Sequence, residues 1–393
     1  MKSKNNLSIL WGGHLISQIG TVMFNTSLAW WITEKTNSST VLGMVLSFSI
    51  IPSVIINIFG GVIVDRFNKK IIMIIVDTIL GLGCIFLGLY SLYHFNLYTL
   101  LLVNILINVG FSFFSPAARS IVPELIEKDK IAKANSIFSS LLEITKLIGP
   151  ALAGILIPLI GAPGVFILNG ASFLASAFFE YNITYIRPPI TKEDVNIIAD
   201  IKSAFDYIKT NEWLKWTMIM VSCFNFFSAG IVLTIPFYIK NILHQKVGMF
   251  GHALTTQAIG AITASLIITK FKKNIVTHQS IGKNLLSCGA LLLLNIYPNL
   301  IILFISLFFY GFFLAKFNIE FFSFIQLKVD KAYMGRVFSF IFTIAIIFMP
   351  AGSLVLGYIC SYFLSKMFLI LGIGIVITYA LIAKGSRNVE FNK

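Results

Sequence analysis

Five ionisable side chains of this sequence fall inside long apolar stretches: Asp77, Glu143, Lys146, Lys316 and Glu320. A charge at the centre of a lipid-spanning helix costs about 2.5–3.5 kcal/mol on insertion scales, so such residues pair with one another or serve a path for ions or solute. Glu143 and Lys146 are three apart and Lys316 and Glu320 four apart, which puts each pair on one helix face. Two readings are open for each pair. It is a structural ion pair within its helix, or a carboxyl that takes up and releases a proton beside a lysine. Asp77 lies nearer the cationic segment and is expected to pair with Arg66 or another loop cation, with proton binding as the rival role. Uncharged polar residues form stripes at the same helical spacing. His14, Gln18, Thr21 and Asn25 make one, and Asn104, Asn108, Ser112 and Ser115 another. Ser222 and Asn225 form a shorter series, and Tyr310 accompanies the charges at 316 and 320. Stripes of this kind bond neighbouring helices or line a watery path.

The same inventory excludes several chemistries. All five histidines are isolated, so no zinc-ligand spacing exists and no metal is expected. Cys84, Cys223, Cys288 and Cys360 lie in apolar runs without a CxxC pair and read as small apolar filler. No HExxH or clustered His/Asp set supports an enzyme, and no GxxxxGK[ST] loop supports direct use of ATP; no cofactor is expected. The net charge of +14 is spread over short loops between apolar runs, which argues against nucleic acid.

The elements that carry these residues follow from composition. Of 393 residues 57% are hydrophobic and 12% charged, where a soluble domain carries about a quarter charged. Apolar runs of about 20 residues, enough to cross a hydrocarbon core at about 1.5 Å per residue, recur along the chain. They are continuous rather than alternating, which selects helices over a barrel. The predicted spans are 7–32, 40–63, 71–93, 97–117, 135–160, 163–181, 214–239, 248–269, 281–297, 299–322, 334–360 and 363–384. The fold class is therefore all-α and integral to the membrane, with twelve transmembrane helices in two groups of six. The domains are 1–181, a linker 182–213, and 214–393. The linker holds a short amphipathic helix, with Ile197, Ile198, Ile201, Phe205 and Ile208 on one face, suited to the membrane surface. The first apolar run is too long and too polar for a cleaved signal and reads as a retained helix. With both termini on one side, 24 Lys and Arg fall there and four on the other, which makes both termini cytoplasmic.

Shifting the chain by 200 residues sets Phe138-Ser139 on Phe338-Ser339 and Pro150-Ala151 on Pro350-Ala351, a parallel internal repeat. The sharpest motif joins the second and third spans: Gly61, Asp65, Arg66, Lys69 and Lys70. It resembles the Gly-x-x-x-Asp-Arg-x-Gly-Arg-Arg signature of the major facilitator superfamily. It departs at Asn68, where glycine is usual and where asparagine is expected to tolerate a left-handed backbone. Asp65 is expected to latch the start of the eleventh helix at Gly335-Arg336, where the helix dipole favours an anion. Gly149-Pro150-Ala151-Leu152-Ala153-Gly154 is similar to the glycine–proline motif of exporters in that superfamily, with a generic packing seam as the alternative. Leu28-Ala29-Trp30-Trp31, Pro52, Ile71-Ile72-Met73 with Asp77, Val122-Pro123, Ala134-Asn135 and Gly335-Arg336-Val337 together resemble the drug:proton antiporter-3 branch.

That resemblance implies a secondary transporter whose halves rock about a central cavity lined by helices 1, 4, 7 and 10, where the polar stripes fall. It implies proton-coupled efflux of a bulky amphipathic solute such as a macrolide, from a bacterial cytoplasmic membrane, by a monomer. A siderophore exporter or a lysophospholipid transporter of the same fold is the alternative. Glu143, Glu320 and Asp77 are then the candidate proton carriers, with Lys146 and Lys316 as charge partners. Phe313 and Phe317 share the Glu320 face and are candidate walls of an apolar ligand site.

Overall fold

The computed structural model describes residues 2–127, 131–185, 207–270, 278–329 and 334–385. Its helices follow the order of the predicted spans. They are α1 (Lys2–Thr36), α2 (Ser39–Arg66), α3 (Lys69–Ser91) and α4 (Leu97–Leu125), then a helical run Ile131–Tyr181 that gives α5 and α6. After these come α7 (Glu212–Phe237), α8 (Val247–Lys270), α9 (His278–Leu293), α10 (Leu300–Lys328), α11 (Met334–Phe363) and α12 (Met367–Gly385). The run Ile131–Tyr181 divides at Gly161, whose φ of 71° and ψ of 168° are open to glycine and which stands two residues before Pro163. Here α5 is 131–160 and α6 is 162–181. Among the described residues nine stretches are long and apolar enough to cross a membrane. One of these, Lys133–Tyr181, takes in two predicted spans, and another, Ile347–Lys384, takes in the span 363–384 and the second half of 334–360. The predicted span 281–297 is met by the shorter α9 and the 3-10 turn Leu294–Ile296. The expected surface helix over 197–208 lies outside the described residues apart from its last two.

Helix starts are set locally by asparagine. The side chain of Asn96 accepts from the Tyr98 and Thr99 amides, at 2.8 and 3.3 Å, and Asn299 does the same for Ile301 and Ile302. These two caps open α4 and α10. Asn68 caps α3, accepting from the Ile71 amide at 3.3 Å. Its φ of −71° and ψ of 112° are extended, not left-handed, so the expected conformation is corrected. The residue at this point of the motif starts a helix, and a cap needs an extended backbone and a side-chain acceptor.

The chain forms two compact units. Unit 1 gathers Met1–Asn37, Val45–Lys192 and Lys246–Thr255; unit 2 gathers Ser38–Met44, Glu193–Gln245 and Thr256–Lys393. Inside unit 1, α1 and α3 pack on the α5–α6 run and α3 packs on α4. Inside unit 2, α7 packs on α11 and α12, and α9 packs on α10 and α12. The pairings correspond helix for helix.

Each unit also contains a seam of small residues. In unit 1, a Cβ on Gly251 of α8 would lie 2.6 Å from the Pro150 carbonyl and 2.9 Å from the Gly154 Cα. In unit 2, a Cβ on Gly43 of α2 would overlap the Ser353 carbonyl and sit 3.4 Å from the Gly357 Cα. The Ser39 hydroxyl donates to the Gly357 carbonyl at 2.8 Å. These contacts relate Pro150 and Gly154 to Ser353 and Gly357, three residues away from the register that sets Pro150 on Pro350. Close approach requires a missing Cβ, and the glycines rather than the prolines set the register.

Candidate functional site

The crossings inside unit 1 bring its buried acids together. Gly81 of α3 meets α6 so closely that a Cβ there would lie 2.7 Å from Leu174 Cδ2 and 3.0 Å from the Gly170 carbonyl. A Cβ on Gly170 would in turn lie 2.6 Å from the Gly81 carbonyl. One turn from Gly81, toward the start of α3, stands Asp77. From α6, Glu180 interacts with it electrostatically, and Ser176 stands beside both carboxyls. On the other side of α6, Gly13 of α1 packs on Ser176, its Cβ position 3.3 Å from the hydroxyl oxygen. Asp77 and Glu180 are each 1% exposed and Ser176 is fully buried. All four carboxylate oxygens and the Ser176 hydroxyl lack a hydrogen bond of proper geometry. The expected pairing of Asp77 with a loop cation is therefore corrected: its neighbour is a second acid.

The cations of the loop motif are engaged elsewhere. Lys69, largely buried, forms an ion pair with Glu124 at the end of α4, and Glu124 also accepts from the Tyr185 hydroxyl at 2.6 Å. Lys70 donates to the carbonyls of Tyr181 and Ile183, at 2.7 and 2.8 Å, and lies over the Tyr181 ring. Asn6 completes this end of the unit by exchanging two hydrogen bonds with the backbone of Thr184. The lysines thus clasp the ends of α4 and α6, whose free carbonyls attract cations. Gly61 lies within α2 and Arg66 is exposed at its end. The side chains of Asp65 and Arg336 lie outside the described residues, and so does the expected latch between them.

Unit 2 holds its buried acid differently. Glu320 of α10 accepts from Ser280 and from Asn284 of α9, both at 2.8 Å, and Lys316 stands 3.8 Å away. Glu143 and Lys146 form a 2.7 Å ion pair on α5, with side chains 46% and 61% exposed within the protein. Gly149 packs against Val22 of α1, and Gly154 lies in the seam with Gly251.

The polar stripes separate into bonded and open members. His14 is buried between the rings of Phe114 and Phe138, at 5.4 and 5.0 Å, and its Nδ1 has no hydrogen-bond partner. Thr21 donates to its own helix at Ser17, and Gln18 and Asn25 are more open. Asn108 donates to Asn104, and Asn225 to Val221. Ser222 is buried. Tyr310 is buried and bonds Ser228 of α7 at 3.2 Å. Phe317 is buried against Phe224 and Phe321, whereas Phe313 stays half-buried. At the end of unit 1 away from Asn6, a cavity of about 440 Å³ opens among Trp30, Trp31, Glu34, His94 and Pro163.

Sequence reasoning missed Glu180, Ser176, Glu124, Ser280 and Asn284. For the first two a signal existed, since they stand four apart inside the span 163–181 and so share a face.

The sequence profile of the transmembrane secretion effector family, within the major facilitator superfamily, matches residues 3–390. The chain is similar to the staphyloferrin A transporter of Staphylococcus aureus, at 24% identity over 95% of this chain and 90% of that protein. It is similar to macrolide efflux protein A of Streptococcus pyogenes, at 22% identity over 90% of this chain and 89% of that one. Among solved structures, a bacterial homologue of the human lysosomal transporter Spinster, inward-facing and unoccupied, superposes with a TM-score of 0.75. That likeness, at 14% identity, covers 98% of this chain and 97% of the other and concerns the fold. Profile and fold agree over almost the whole length: the chain is a multi-pass membrane transporter and belongs to the transmembrane secretion effector family of the major facilitator superfamily.

Proposed function

We propose that the protein is a proton-coupled exporter of a bulky amphipathic solute of the macrolide type, working by alternating access with both termini in the cytoplasm. The observation that carries the reading is the seam of α5, where Gly149, Pro150 and Gly154 fall in the exporter-like motif and Gly154 meets Gly251 without side chains between them. A contact of backbone on backbone parts and re-forms with no side chain to repack, as a transporter that exchanges two states requires. Macrolide efflux protein A as a full-length relative supports the cargo. The 24-to-4 division of Lys and Arg supports the orientation.

Energetically one proton is enough. A single charge moving down about 100 mV supplies about 2.3 kcal/mol, which sustains roughly a 50-fold gradient of a neutral solute. Glu143, Glu320 and Asp77 remain the carboxyls on which such a proton would ride. A second reading, export of a staphyloferrin-type solute, is favoured by the similarity to the staphyloferrin A transporter.

Inverted membrane vesicles test both readings. Macrolides, staphyloferrin-type carboxylates and lysophospholipids are offered with and without an imposed pH gradient. Accumulation of macrolide that collapses with the gradient is the expected result. Gradient-driven accumulation of a carboxylate alone selects the second reading, and accumulation that ignores the gradient refutes proton coupling.

A further inference from the structure

Two buried carboxyls that interact electrostatically inside a helix bundle pose a problem of charge. Asp77 and Glu180 come from different helices, α3 and α6, which the glycine crossing at Gly81 and Gly170 holds close together. Neither has a hydrogen-bond donor of proper geometry on any oxygen, and the hydroxyl that stands beside both, Ser176, is fully buried and makes no bond of proper geometry to anything else. Buried charges without partners are not tolerated, and two like charges in contact cannot both ionise.

The surroundings supply no compensating cation among the described residues. On α3, Lys69 is held by Glu124, and Lys70 by the carbonyls of Tyr181 and Ile183. On α4 the charged groups toward this end are Glu124 and Arg119, and Arg119 acts on His14. On α1 the titratable group toward this end, among the described side chains, is His14, which is stacked between Phe114 and Phe138. On α6 the remaining group is Tyr181, beneath Lys70.

We propose that Asp77 and Glu180 hold one proton between them, with Ser176 donating to the ionised partner, and that this pair is the site where the transporter binds and releases its driving proton. The proposal deepens the exporter reading and rests on it. The pair is closed to water in this structure, and the nearest way out is the end of α6. There Lys70, Asn6 and the Tyr185–Glu124 contact hold residues 181–185 in place. Glu180 stands one residue before the exposed Tyr181, so freeing that end is the shortest way to bring it to the surface. The proton enters as a bond to one carboxylate oxygen and leaves by the same bond, so no other reactant is needed.

Infrared spectroscopy of the purified full-length protein in lipid nanodiscs reads the proton directly, through the C=O stretch of a protonated carboxyl. The wild type is expected to show one such band that titrates with pH. The double variant Asp77→Asn/Glu180→Gln should lack it, and each single variant should move the pH at which it disappears. In inverted vesicles the double variant should lose its stimulation by a pH gradient. A band that resists titration at all accessible pH values overturns the proposal, because the proton is then a fixed part of the structure. Loss of the band on adding sodium chloride at constant pH also overturns it, in favour of a sodium site. A wild type indifferent to the gradient defeats proton coupling, on which the proposal rests. A wild type stimulated by the gradient together with a double variant stimulated equally defeats only the pair.

Discussion

Units 1 and 2 repeat one plan and diverge in how they bury acid. Both open a helix with an Asn cap, at Asn96 and Asn299, and both contain a glycine seam, at Gly154 with Gly251 and at Gly357 with Gly43. In unit 2 the buried carboxylate of Glu320 has two donors and a lysine. In unit 1 the carboxyls of Asp77 and Glu180 have each other and no hydrogen bond of proper geometry. The same scaffold therefore holds a finished anion on one side and an unfinished pair on the other. A satisfied anion has no reason to change its state, and an unsatisfied one does.

The likeness is tested by the largest effect. Gly251→Leu in unit 1 and Gly43→Leu in unit 2 should each abolish transport while leaving membrane insertion intact, since leucine inserts readily in a spanning helix. Gly154→Leu should follow them. Gly248→Ala is the control, because a Cβ there meets nothing closer than the Gly154 carbonyl at 3.8 Å. Vesicle transport with matched expression is the measurement. If either seam tolerates leucine, the two units do not use their seams alike.

The difference is tested next. Glu320→Ala removes the acceptor of Ser280 and Asn284 and strands Lys316, and it should cost about 3 kcal/mol, as loss of one partner from a buried pair does. Glu320→Gln keeps the shape and one acceptor oxygen and should cost about 1 kcal/mol. In unit 1, Asp77→Asn or Glu180→Gln replaces one carboxyl of a proton-sharing pair by a neutral amide of similar shape and should cost about 1 kcal/mol, well below Glu320→Ala. Denaturant midpoints in nanodiscs decide. A loss at Asp77 or Glu180 as large as that of Glu320→Ala would mean a partner holds the pair, and the contrast would disappear.

Much of this architecture is legible in the residues, for physical reasons that also mark the limit. Continuous apolar runs leave the backbone no choice but helix, so the spans were readable from composition and length. Lys69 and Lys70 were readable as a cationic loop, yet their acceptors, Glu124 and the carbonyls of Tyr181 and Ile183, belong to other helices. No local pattern names those partners. Glu180 was missed for the same reason. Its own helix says only that it shares a face with Ser176, and the crossing at Gly81 and Gly170 brings that face to Asp77. Asn68 shows the reverse case, where the residue type was right for the site and the conformation was not: it serves as a cap.

The smallest effect concerns Glu143, whose place is between the two kinds of acid. It has one partner, Lys146, at 2.7 Å, and both side chains are more than a third exposed within the protein. An ion pair that open is worth about 0.2–1 kcal/mol even with good geometry, and screening brings it to the lower end where water reaches it. Glu143→Gln should therefore leave the unfolding midpoint almost unchanged, unlike Glu320→Ala. Its effect on coupling is the sharper question, because exposure that weakens the pair also lets a proton reach it. With the proton on Asp77 and Glu180, Glu143→Gln should retain gradient-driven accumulation within about two-fold, a change of about 0.4 kcal/mol at most. Loss of gradient dependence in this variant alone, with downhill movement intact, would put the driving proton on α5. The acid pair of unit 1 would then be a buried structural feature that keeps its proton throughout the cycle.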